Sequence, residues 1–94
     1  MEHLIYKIEF APRTEEQLKI IPRHVQKLLF KRIEQLTTNP RPHNMEPLQG
    51  IEKGLYRIRQ GDYRIVYLIE DDKLLILVLR VVHRKEVYKK KHSK

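Results

Sequence analysis

Gly61-Asp62 separates two runs rich in β-branched and aromatic residues, Leu55–Arg59 and Tyr63–Glu70. A two-residue Gly-Asp connection between such runs is a hairpin signal, with glycine supplying the positive φ of the tight turn. It also sets a register. Gln60 falls opposite Tyr63, Arg59 opposite Arg64, and Arg57 opposite Val66. A third run, Lys73–Val82, follows Asp71-Asp72 and extends the hairpin to an antiparallel meander.

The chain ahead of the meander changes period. His3–Phe10 alternates around Leu4, Tyr6, Ile8 and Phe10 and predicts a first strand, which Ala11-Pro12 breaks. Thr14 and Gln17 have capping-box spacing, and Glu15 and Glu16 suit the positive end of a helix dipole. A short helix is expected from about Glu15 to Ile20. Pro22 suits the first turn of a second helix, whose apolar stripe is Val25, Leu28, Leu29, Ile33 and Leu36. Asn39-Pro40-Arg41-Pro42 ends it, and a loop runs to about Gly50. The order β-α-α-β-β-β predicts an α+β fold, with the N-terminal helical hairpin packed on a mostly antiparallel four-stranded sheet. A length of 94 residues accommodates one domain, residues 1–94, with a basic tail from about residue 83.

Composition removes several classes of chemistry. There is no cysteine, hence no disulfide, thiolate metal site or cysteine nucleophile. The histidines His3, His24, His43, His83 and His92 lack metal-ligand spacing, and no glycine loop is built to cradle phosphates. No metal or cofactor is expected. The longest apolar stretch, Leu74–Leu79, is far shorter than the roughly 20 residues of a membrane span. A cytoplasmic address, away from membranes, is the expectation.

Charge is concentrated. The net charge is +8, and Arg80–Lys94 carries seven Lys or Arg against the single acid Glu86. A basic tail fits a polyanionic partner, and equally a solvated, solubilising segment. The hairpin register adds a second basic feature, because Arg57, Arg59 and Arg64 share one face. Directly opposed like charges destabilise a sheet, so these guanidinium groups either pair with local acids, splay into water or meet an anion such as a phosphate chain. His83, Arg84 and Tyr88 follow the last strand and are expected to fold back over this region. A histidine there would exchange protons near neutral pH, although a lone histidine also fits plain packing.

These pieces resemble a known family in their order and spacing. Leu48-Gln49-Gly50, Leu55-Tyr56-Arg57-Ile58-Arg59, Gly61-Asp62-Tyr63-Arg64-Ile65-Val66-Tyr67, Ile69-Glu70-Asp71-Asp72 and His83-Arg84-Lys85-Glu86-Val87-Tyr88 together look like the RelE/ParE toxin superfamily. The resemblance implies a RelE-like toxin of a type II toxin–antitoxin pair: a ribosome-dependent endoribonuclease that cuts mRNA in the A site. In that chemistry, which is metal-free, the ribose 2′-hydroxyl attacks the adjacent phosphate and leaves a cyclic phosphate and a 5′-hydroxyl. By the same resemblance Arg64 stabilises charge on the scissile phosphate, and Arg84 assists the phosphate or the leaving oxygen. Tyr88 positions the nucleotide or takes part in proton transfer. His83 matches a histidine found before that arginine in many members. Glu46, in Glu46-Pro47-Leu48, resembles the YoeB-type glutamate that is a candidate general base. Arg57 and Arg59 fall where the family often grips the mRNA backbone, and Lys85, Lys89 and Lys90 extend the basic surface offered to RNA.

One departure is Val82, where many relatives have glycine. Valine disfavours positive φ, so the last strand is expected to run further before turning. The implied partners are a cognate RelB-like antitoxin, acidic and folding on binding into a hetero-oligomer, together with the ribosome and mRNA. Two other readings share the scaffold: a ParE-like inhibitor of DNA gyrase without nuclease activity, and a non-catalytic basic module for nucleic acid or an acidic partner.

Overall fold

A computed structural model describes residues 4–48 and 54–85. Its elements are β1 (Lys7–Phe10), α1 (Pro12–Lys19), α2 (Arg23–Gln35), β2 (Glu46–Pro47), β3 (Leu55–Gln60), β4 (Tyr63–Glu70) and β5 (Leu75–His83). The class is α+β, with two helices on one face of a five-stranded sheet ordered β1-β5-β4-β3-β2. Only β1 with β5 is a parallel pair; the rest is antiparallel. The extra strand over the four expected is β2, two residues long and containing Pro47, too short to leave a period in the sequence.

The hairpin register holds at every position the Gly-Asp turn predicts: Gln60↔Tyr63, Arg59↔Arg64 and Arg57↔Val66. Gly61 has φ 62° while Asp62 stays negative, the pattern of a type II′ turn, whose twist matches that of the flanking strands. Paired residues share a face, so Ile58, Ile65 and Val81 line one row of the helix side, and Tyr67 with Val78 and Ile69 with Ile76 line others. Leu18, Ile21, Leu29, Ile33 and Leu36 pack against them. Burying each such aliphatic side chain contributes about 1.5–3 kcal/mol before entropy is counted. Of the predicted α2 stripe, Leu29, Ile33 and Leu36 are buried and Val25 packs at the margin, whereas Leu28 is exposed.

The N-terminal cap expectation fails for a physical reason. α1 begins at Pro12, and Thr14 lies inside it, fully buried, donating its hydroxyl to the Val78 carbonyl at 3.0 Å. Gln17 likewise turns away from the helix end and accepts the Val81 N–H at 2.8 Å. β1 pairs with β5 only as far as Phe10↔Val78. There Thr14 adds a second donor to the Val78 carbonyl, which also accepts the Ala11 N–H at 3.0 Å, and Gln17 satisfies the Val81 N–H beyond the reach of β1.

Between Val66↔Arg80 and Tyr67↔Val78 the β4–β5 register shifts, leaving Leu79 as an extra residue in β5. Such a β-bulge inverts which side the following residues face. Arg80 and Val82 therefore lie on the side away from the helices, and Val81 and His83 on the helix side. β5 continues through Val82 to His83, as valine in place of glycine predicts.

Candidate nucleic-acid interface

No described helix covers the sheet face opposite the core. One end of it is basic. Arg59 and Arg64 are directly opposed there, and the next row reads Glu46, Arg57, Val66, Arg80 across β2, β3, β4 and β5. Opposed Cβ atoms in such a ladder lie ~5 Å apart and diagonal neighbours ~7–8 Å apart. Arg64 therefore sits centrally, with Arg59 across from it and Arg57 and Arg80 on its diagonals.

The local acid is Glu46. β2 places it opposite Arg57, whose Nε and Nη2 both donate to Glu46 Oε1, the former at 3.0 Å. The Arg57 guanidinium holds the Glu46 carboxyl below the usual carboxylate range, reinforced by the charges of Arg59 and Arg64. That makes Glu46 a firm anion and a weak proton acceptor. Among the described residues one carboxylate shares this end of the face with four guanidinium groups. Among the described residues Arg59 and Arg64 form no ion pair. The arrangement suits capture of a phosphate chain, since guanidinium forks bind phosphate oxygens bidentately and charged donors stabilise developing negative charge.

The carboxy-terminal candidates divide. Arg84 is tied to the hairpin tip: its N–H donates to the Asp62 carbonyl at 2.9 Å, and its Nε lies 3.8 Å from Asp62 Oδ1. This brings Arg84 to the turn that precedes Arg64 in the chain. Lys85 is exposed beside it and donates its N–H to His83 Nδ1 at 3.1 Å. Tyr88, Lys89 and Lys90 lie outside the described residues.

His83 does not join the arginines. It pairs with Tyr63, and its ring packs edge-on against the Tyr63 ring at 5.0 Å between centroids. Both line a cavity of about 340 Å³ with Gln17, Ile20, Ile21 and Val81, on the helix side of the sheet. The expectation that His83 folds back over the arginine face is corrected by the Leu79 bulge, which sets its parity. The same bulge brings in Arg80, which the sequence reading did not single out. Nothing in the local pattern of Leu75–Val82 announces an extra residue, so only the strand pairing could have found it.

Known proteins share this architecture. A family model described as the ParE toxin of the type II toxin–antitoxin system parDE matches residues 8–88. The putative toxin RelE1 of Methanocaldococcus jannaschii is 30% identical over 87 residues, covering 89% of this chain and 96% of its own. Toxin RelE3 of the same organism is 33% identical over 86 residues, with 87% and 94% covered. Among solved structures, the RelBE2 toxin–antitoxin complex of Mycobacterium tuberculosis matches with a TM-score of 0.77 at 25% identity, over 88% of this chain and 95% of that one. The isolated E. coli RelE toxin matches with a TM-score of 0.72 at 27% identity, over 92% and 94%. The helix-backed meander, the arginine face that no described helix covers and a family match spanning most of the sequence agree: the chain is a toxin of a type II toxin–antitoxin system and belongs to the RelE/ParE superfamily.

Proposed function

We propose that the protein is a ribosome-dependent endoribonuclease whose arginine-bearing sheet face receives the mRNA backbone. The observation that carries this reading is the centrally placed Arg64, flanked by Arg57 and Arg59 on a face where, among the described residues, Glu46 is the one neighbouring carboxylate. The ribose 2′-hydroxyl attacks the adjacent phosphorus, the bond to the 5′-oxygen breaks, and a cyclic phosphate and a 5′-hydroxyl remain. Arg64 stabilises the extra charge on the phosphoryl oxygens, Arg57 and Arg59 hold the flanking backbone, and Arg84 serves the leaving side from the hairpin tip. Glu46 acts as the resident counterion of Arg57 rather than as a strong base. Tyr88 and the lysines Lys85, Lys89 and Lys90 contribute contacts to RNA. His83 acts through packing on Tyr63. Much of the substrate positioning then belongs to the ribosome.

The neighbouring structures described as RelB–RelE complexes support a cognate RelB-like antitoxin as partner in a hetero-oligomer. An acidic antitoxin segment would neutralise the same basic surface. Work on translating ribosomes sets the location in the cytoplasm, and no helix among the described residues is long and apolar enough to cross a membrane.

The test uses programmed ribosomes carrying an mRNA with 2′-deoxy substitution at the mapped cleavage site. Wild-type protein should cut the all-ribose message and leave the substituted one intact. Cleavage of both would remove the 2′-hydroxyl mechanism. The family match to a ParE model favours one second reading, a toxin that binds DNA gyrase without cutting RNA. Inhibited supercoiling together with intact mRNA would establish that reading instead.

A further inference from the structure

We infer that Arg80 is a fourth phosphate ligand on the arginine face, taking the phosphodiester group next to the one held by Arg64. This inference rests on the reading of that face as an RNA site. Three observations support it. The Leu79 bulge turns Arg80 out of the core and onto the open face, opposite Val66 and diagonal to Arg64. Bulges of this kind re-aim a side chain, and without the extra residue Arg80 would point under the helices. Arg80 Nε is buried and has no hydrogen-bond partner among the described residues. Finally, the carboxylate in its row, Glu46, is engaged by Arg57 on the far side of Val66.

A guanidinium with an enclosed and unmatched N–H has already surrendered hydration on folding. Its remaining donors therefore meet an anion with less water to displace, and its enclosed stem holds the fork in one orientation. An RNA strand crossing the face from Arg57 and Arg59 over Arg64 reaches Arg80 next. Arg64 and Arg80, about 7–8 Å apart at Cβ, suit two successive backbone groups better than one. Sequence preference is not expected from this contact, because phosphates fix register without reporting base identity.

The experiment titrates the full chain onto a short labelled single-stranded RNA carrying 2′-O-methyl groups throughout, at several KCl concentrations, by fluorescence anisotropy. Arg80→Met keeps the stem and removes the fork. It should weaken binding about 10- to 100-fold, as expected for loss of a charged hydrogen-bonding group. It should also reduce the slope of log K against log salt by about 0.7, the share of one single-strand phosphate contact. Arg80→Lys should keep the wild-type slope while binding several-fold more weakly, because it restores the charge without the fork. Arg13→Met on α1 should change neither quantity.

If wild-type and Arg80→Met proteins bind alike, the Arg80 assignment is wrong and the RNA face stands. If the wild type shows no salt-dependent RNA binding, the proposed function fails along with it. A weaker Arg80→Met protein with an unchanged slope would mean that Arg80 only supports the fold, which overturns the inference. So would a loss of binding to an acidic peptide without a loss to RNA. Should Arg80→Met fail to fold by circular dichroism, Arg80→Lys decides alone: unchanged affinity overturns the proposal.

Discussion

Glu46 and Arg57 illustrate how one pair can be assigned opposite roles. A glutamate beside a phosphate suggests a base, yet the pairing with Arg57, helped by the charges of Arg59 and Arg64, lowers the pKa of this carboxyl and favours its ionised form. Glu46→Gln should therefore free Arg57, raise affinity for non-cleavable RNA several-fold, and lower the single-turnover cleavage rate less than tenfold. A rate loss of 10² or more, the usual minimum for a deleted general base, would restore the catalytic role. Tyr67 makes a stability prediction. Its ring is fully buried, its hydroxyl donates to the Pro40 carbonyl at 2.8 Å, and burial pushes its pKa up to about 12. Tyr67→Phe should cost about 0.5–1.5 kcal/mol in urea denaturation, because the hydrogen bond to the half-buried Pro40 carbonyl is lost. Sequence reading placed Arg57, Arg59 and Arg64 on one sheet face, as the strand pairing has them, since a two-residue turn leaves only one register. It missed the roles of Thr14 and Gln17, whose spacing imitates a cap while their side chains serve a strand edge 64 residues away.

Elements whose geometry depends on a local signal were legible, and those set by distant pairing were not. The β3–β4 hairpin and α2 follow from turn residues and periodicity, whereas the Thr14 cap expected for α1 does not form and that helix begins earlier, at Pro12. β2 and the parallel β1–β5 pair follow from what the rest of the chain places beside them. The turn before β5 is a further case: Asp71–Lys73 form a 3₁₀ turn and Leu74 takes φ 49°, a left-handed conformation that no glycine announces. The two described glycines allow a comparison. Gly61 has φ 62° with open space around a built Cβ, whereas Gly54 has φ 81° and its Cβ would sit 2.9 Å from the Ile69 carbonyl oxygen. Gly61→Ala should cost about 1–2 kcal/mol from conformation alone. Gly54→Ala should cost clearly more, because the backbone of β4 must also move. Equal losses in chemical denaturation would show that the Gly54 contact relaxes freely.

The whole molecule is fastened at the end opposite the basic site. Asp71 accepts from Tyr6 at 2.6 Å and pairs with Arg41 through both carboxylate oxygens, while Arg41 lies over the Tyr56 ring at 5.6 Å. The segment before β1, the loop after α2, β3 and the β4–β5 turn meet there. Arg41, then Tyr6, lower the Asp71 pKa from its ordinary 3.8. A depressed carboxylate contributes stability that is complete above its unfolded pKa and lost as pH falls through the folded value. Asp71→Asn should thus be less stable than wild type at pH 7, by about 0.2–1 kcal/mol for so exposed a pair, with the difference shrinking as pH falls through and below the ordinary aspartate range. A difference that grew on acidification would contradict the assignment.

This division of labour, with one end and one face fastening the fold and the other face proposed to meet RNA, separates stability from toxicity. Inhibition of translation in a cell-free system distinguishes them. Changing Arg57, Arg59 and Arg64 together to glutamine should abolish mRNA cleavage on the ribosome while leaving the thermal midpoint within a few degrees. Changing Arg23, Lys27 and Lys31 on α2 removes the same charge from the opposite side and should leave cleavage nearly intact. Equal loss of cleavage from both triple variants would mean that net charge, and not the arginine face of the sheet, carries the activity.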